Sequence, residues 1–152
     1  MKRYYLIFLI LTLMGCEKIP VNPVYGPVNL GLNLLFREKA LRGIPSYQIY
    51  SLSKPGIDFN PQLNERIGLG GLVVVHTPFD TWAAFDLACP NEQTPNRNTL
   101  VEIIDGGSHA ICAQCGTKYQ ILDGTGIAIE GKKFGLRSYH VSVSGNTGMV
   151  TN

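Results

Sequence analysis

The stretch Val28-Asn29-Leu30-Gly31-Leu32-Asn33-Leu34 decides the fold. Its aliphatic residues recur at every second position, with Asn or Gly between them. That is the period of a strand with one face buried and the other wet. Further short runs lie outward from it: Ser46–Ser51, Gly71–His76, Trp82–Leu87, Thr99–Ile104, Ala110–Cys112, Lys118–Leu122, Ser138–Ser144 and Met149–Thr151. Turn signals such as Lys54-Pro55-Gly56, Asp105-Gly106-Gly107, Asp123-Gly124-Thr125-Gly126 and Ser144-Gly145-Asn146 separate them. Only Phe36–Arg42 offers a short helix, ended by Gly43-Ile44-Pro45. Many short strands at short spacing predict an all-β fold, an antiparallel sandwich or partly open barrel.

Composition limits what such a fold can do. A chain of 152 residues, 45% hydrophobic and 16% charged, is one folded domain and not a disordered polyampholyte. It has 13 Lys+Arg against 11 Asp+Glu. Lys2 and Arg3 belong to the extreme N-terminus, and without them the charges balance, so no basic face for nucleic acid is expected. Four cysteines are too few for a disulfide scaffold but enough for one site.

The N-terminus reads as an address. Lys2-Arg3 precedes the apolar run from Tyr4, which is too short to cross a bilayer as a helix of roughly 20 residues. A charged end and a short apolar core describe a secretory leader. Its ending, Leu13-Met14-Gly15-Cys16, resembles the lipobox of bacterial lipoproteins. The resemblance implies a signal peptide over 1–15 and an acylated Cys16, with two or three chains that hold the protein on a membrane stably. The location expected is extracytoplasmic and membrane-anchored. The outer membrane is favoured over the inner, because Glu17 lends no support to inner-membrane retention. Residues 16–27, with Pro20, Pro23 and Pro27, read as a semi-extended tether with little to pack, and 28–152 as the β domain.

Apart from Cys16, three thiols remain: Cys89 in Ala88-Cys89-Pro90-Asn91, and Cys112 with Cys115 in Cys112-Ala113-Gln114-Cys115-Gly116. Each group falls where a strand runs into a loop. Two such loops can converge on one metal centre if they are neighbours at one end of a sheet. By itself a Cys-x-x-Cys leaves a zinc knuckle, a redox dithiol and coincidence all open.

The runs Phe85-Asp86-Leu87-Ala88-Cys89-Pro90-Asn91, Cys112 to Tyr119 and Asp123-Gly124 together resemble a Rieske domain, over roughly residues 70–151. With the lipobox and the strand at Val28–Leu34, the whole chain resembles Rieske-like lipoproteins of Bacteroidetes type. The resemblance implies a Rieske-type β scaffold with a loop-borne cluster-binding subdomain. It also implies a [2Fe–2S] cluster held by a Cys-x-His and a Cys-x-x-His loop. Cys89 and Cys112 match the cysteine positions, and Gly116 matches the glycine after the second ligand. Thr117 and Tyr119 match the hydroxyl positions that hydrogen-bond cluster sulfur and cysteine and tune the potential upward.

The departures are specific. Asn91 and Cys115 stand where the family has its histidines, Gly131-Lys132 stands where the covering loop has Gly-Pro, and the second cysteine pair of some members is absent. The candidate metal ligands are therefore Cys89, Cys112 and Cys115, with Asn91 at the matched fourth position although an amide oxygen is a poor iron ligand. Three readings stay open. The first is a [2Fe–2S] electron carrier or accessory redox subunit using the three thiolates and an unplaced fourth ligand. The second is a cluster-free binding or structural lipoprotein, its thiols free or joined as a disulfide from Cys89 to Cys112 or Cys115. The third, ranked well behind, is a Cys₃ zinc site completed by His109 or water. The partners expected are the membrane, through the anchor, and an unidentified redox or envelope protein. Hydrolysis has no Ser/His/Asp arrangement behind it. Asp86 reads as a turn cap before it reads as a base, and His76 and His140 as ordinary strand or surface residues.

Overall fold

A computed structural model describes residues 21–51, 63–131 and 134–152. The expected leader and Cys16 lie outside the described residues, as does Lys132. The alternating stretch forms strand β1 (Val28–Asn33), in which Val28, Leu30 and Leu32 are buried and the residues between them are not. The rest of the chain adds β2 (Ser46–Tyr50), β3 (Arg66–Ile67), β4 (Leu72–His76), β5 (Trp82–Asp86), β6 (Val101–Ile104) and β7 (His109–Cys112). It ends with β8 (Lys118–Gln120), β9 (Ala128–Glu130), β10 (Ser138–Ser144) and β11 (Thr147–Thr151). The architecture is all-β. Seven strands in the order β2-β4-β5-β10-β11-β1-β3 make an antiparallel, nearly closed barrel-like sheet. A second sheet, β6-β7-β8-β9, is inserted in the chain between β5 and β10.

The two sheets share one wall. Every residue of β4 is buried. Leu72 and Val74 enter the core inside the barrel with Leu30, Leu32, Tyr50 and Val150. Val73 and Val75 face the other way, into a second core with Phe85, Leu87, Ala110, Tyr119 and Ile121. A strand buried on both faces needs a continuous apolar run, which is why Leu72-Val73-Val74-Val75 does not alternate. That second core holds the small sheet against the barrel, and Cys89 and Cys112 are part of it.

Differences from the sequence reading are local. The short helix is a single 3₁₀ turn, Lys39–Arg42. Strands β3 and β9 were not anticipated. One has two residues, and the other joins β8 through a register shift at Lys118/Tyr119, so neither leaves a readable period. The expected tether is packed over its described part: Val24 is buried, Asn22 Nδ2 donates to the Gly135 carbonyl (2.8 Å), and Asn152 Nδ2 to that of Gly26 (3.1 Å). Within it Val24 is held by apolar burial while Val21 and Tyr25 stay exposed. A buried ionic group also went unread. Fully buried Glu38 pairs with Arg37 and accepts from the Asn33 N–H (2.6 Å) and the Tyr50 hydroxyl (3.0 Å). Arg37 reaches on to Glu65 at 2.9 Å, so β1, β2 and the approach to β3 share one charge network. Among the described residues no helix is long and apolar enough to cross a membrane.

Candidate metal centre

Asp86 sets where the first loop begins. At the buried end of β5 its carboxylate accepts from the backbone N–H groups of Leu69 (2.8 Å), Gly70 (2.9 Å) and Ala88 (2.8 Å). The Tyr139 hydroxyl donates a fourth bond at 2.8 Å. A carboxylate with its lone pairs so occupied is a cap, and no capacity is left for it to act as a base. Beyond Asp86, Ala88 bridges Leu100, and the Cys89 N–H donates to the Thr99 carbonyl at 3.1 Å. The loop between them is thus pinned at both ends, with Cys89 turned into the second core.

The second loop is a tight turn from β7 to β8. The Cys112 N–H donates to the Thr117 carbonyl (3.0 Å) and the Gly116 N–H to the Cys112 carbonyl (2.8 Å). Closing this turn puts Gly116 at φ +70°, a left-handed conformation in which a side chain is strained. The turn carries Cys115 round beside Cys112.

The two loops bring all three thiols together. Cys89 Sγ lies 3.6 Å from Cys115 Sγ. The fourth member is a residue that the sequence reading passed over, Glu92, whose Oε1 lies 3.7 Å from Cys112 Sγ. One donor atom from each of Cys89, Glu92, Cys112 and Cys115 falls within 4.8 Å of every other. Cys89 and Cys112 are fully buried, whereas Cys115 and Glu92 are half-buried. Those two border a polar cavity of about 460 Å³ that Gln93, Thr94 and Gln114 also line, so one side of the group opens to water. Three thiolates and a carboxylate are a donor set that could bind a metal. The overlooked signal is a symmetry of spacing: Cys89-x-x-Glu92 repeats the interval of Cys112-x-x-Cys115.

The Asn91 amide, expected at the matched fourth position, is engaged by hydrogen bonds to other groups. Its Nδ2 donates to the Tyr119 hydroxyl (2.9 Å) and the Phe134 carbonyl (2.8 Å), and its Oδ1 accepts from the Phe134 N–H (3.1 Å). The amide instead staples the first loop to the segment after β9. Thr117 and Tyr119 do contact sulfur: the Thr117 hydroxyl lies 3.2 Å from Cys115 Sγ, and the Tyr119 hydroxyl 3.3 Å from Cys89 Sγ. His109 is aimed elsewhere, its Nδ1 3.0 Å from Asp105 Oδ2, and it supplies no fourth ligand. His76 stacks on Trp82 and bonds the Leu41 carbonyl at 2.9 Å, and His140 is an exposed position on β10.

The environment divides the thiols. Burial pushes Cys89 up to about 12, against a lowering by the Tyr119 hydroxyl. Burial raises Cys112 as well. Cys115 is held below the ordinary thiol value: burial opposes this, but hydrogen bonding from the Thr117 side chain and backbone and from the neighbouring thiols outweighs it. Cys115 is therefore the first of the three to become a thiolate, and a cation bound here would have to displace protons from the other two.

Fold and site together define an all-β protein with a thiolate-rich candidate metal centre carried on two adjoining loops. No protein-family profile matches the chain, and no curated protein matches it.

Proposed function

We propose that this chain is a Rieske-type electron carrier, lipid-anchored through Cys16 outside the cytoplasm, that uses iron held by Cys89, Cys112, Cys115 and Glu92. The observation that carries the reading is the meeting of three sulfur atoms from two separate loops, with Cys89 and Cys115 Sγ 3.6 Å apart. Side-chain hydroxyls against two of those sulfurs support it. Hydrogen bonds to sulfur stabilise the more negative, reduced state and so raise the potential. The group that the resemblance implies is a [2Fe–2S] cluster, which supplies reversible one-electron chemistry. The chain's own contribution is to hold the donors, keep most water from Cys89 and Cys112, and leave the Cys115 edge open to a redox partner in the envelope. One electron enters and one leaves, with no bond to a substrate made or broken.

One observation favours a second reading, a cluster-free binding module. Asn91 already joins the first loop to Tyr119 on β8 and to the segment at Phe134 by hydrogen bonds alone, so the loop's placement has a support that is independent of metal. Purifying the chain without oxygen and measuring iron and the visible spectrum separates the two. Iron with thiolate-to-iron absorption is the expected result. Colourless protein that takes up no iron on reconstitution would leave the binding module standing in its place.

A further inference from the structure

We infer that the site takes a single tetrahedral ion rather than a two-iron cluster, with Glu92 as its fourth ligand. The inference rests on the reading of these four groups as a metal centre; it keeps the carrier role and changes the inorganic group. Distance is the first argument. A single ion about 2.3 Å from sulfur and about 2.1 Å from oxygen spaces its ligands about 3.8 Å apart between sulfurs and about 3.6 Å between sulfur and oxygen. The observed separations are 3.6 Å for Cys89 to Cys115 and 3.7 Å for Cys112 to Glu92. In a two-iron core, ligands on one iron keep that spacing of about 3.8 Å, but ligands on different irons are separated by the iron-iron distance as well and stand farther apart. No pair among these donor atoms exceeds 4.8 Å. The donors thus stand closer together than the larger group needs, and any pair wider than about 3.8 Å would close up round a single ion.

Widening the site has a structural cost. Moving the first loop outward would pull Asn91 from Tyr119 and from both polar groups of the Phe134 backbone, bonds of 2.8 to 3.1 Å. Spacing points the same way. Two donors separated by two residues on each of two loops, Cys89/Glu92 and Cys112/Cys115, form the paired knuckle that closes a tetrahedron round one ion. Charge agrees as well. Four anionic ligands leave ferric iron with a net charge of minus one and ferrous iron with minus two. The same ligands leave a two-iron core with minus two when oxidised and minus three when reduced. The penalty for burying charge grows with its square, and two of the sulfurs are fully buried. On this inference one iron cycles between its ferric and ferrous states, taking its electron from a one-electron donor protein and passing it on with no proton or bond transferred.

The experiment takes the full chain from iron-supplemented cells, purified without oxygen, and counts metal and acid-labile sulfide per chain. One iron and no sulfide is expected. Two irons with two sulfides would overturn the single-ion inference and leave the carrier role intact. One zinc and no iron would uphold the single ion and overturn the carrier. A titration of metal-free protein with cobalt(II) should break at one equivalent with tetrahedral visible bands. Absence of both iron and cobalt binding would overturn both proposals. Glu92→Ala should weaken cobalt binding at least about tenfold, and Glu92→Cys should restore it. Unchanged affinity in Glu92→Ala would remove Glu92 from the ligand set.

Discussion

Replacing Asn91 by alanine tests whether this residue is a staple or a ligand. The side chain makes three hydrogen bonds, to the Tyr119 hydroxyl and to the N–H and carbonyl of Phe134. Each contributes about 1 kcal/mol net, and the partners left behind lie in a partly buried site, so the loss should be about 3 kcal/mol. For a domain of this size that lowers Tm by roughly 10 °C. The assay is denaturation of the reduced, metal-free protein followed by circular dichroism, alongside a cobalt(II) titration of the same variant. Metal-free stability should fall while the stoichiometry of metal binding is unchanged. If the metal-free variant were as stable as the parent and the metal were lost, Asn91 would be a ligand and the hydrogen-bond reasoning would be wrong. Asn91→His extends the test, because one imidazole cannot donate twice from a single nitrogen and also accept from the Phe134 N–H. It should destabilise the loop and add no metal.

Five further outcomes are expected. Asp86→Ala removes four bonds to a buried carboxylate and should cost about 4 kcal/mol in a denaturant titration; a loss below about 1 kcal/mol would refute the cap. Metal affinity should rise with pH, because Cys89 and Cys112 are held above the ordinary thiol value and must shed protons to bind; a flat affinity between about pH 6 and about pH 8 contradicts this. In the metal-free chain the sign reverses: a thiol raised from 9.0 to about 12 stabilises the fold below the ordinary value, and that stability should drain away as pH climbs toward 12. Tyr119→Phe removes the hydroxyl 3.3 Å from Cys89 Sγ and should lower the reduction potential of the iron-loaded protein, measured by voltammetry; a rise would oppose the assigned role. Cys16→Ser should move the protein from the membrane to the soluble envelope fraction, and unchanged fractionation would refute the anchor.

How much of this could be read along the chain depends on the range of the physics involved. The strand at Val28–Asn33 was legible because a half-buried strand writes its period into neighbouring residues. β4 was legible as a strand but not as the shared wall of two cores, since an apolar run does not say what lies on either face. Three of the four donors stood out because cysteine is rare and chemically distinctive. Glu92 did not, because a loop glutamate is ordinarily solvated and only the approach of Cys112 gives it a partner.

The sequence by itself determined the fold class, through period-two burial, and the placing of the thiols where strands run into loops; that the two loops meet was decided by the tertiary structure, which sets the loops side by side. Tertiary structure alone decided which groups beside those thiols face inward. Asn91 and Glu92 are adjacent in the chain, yet one is drawn to a backbone 43 residues away and the other to a sulfur on the opposite loop. Such choices turn on hydrogen-bond geometry of a few tenths of an ångström between distant segments, which no local pattern records.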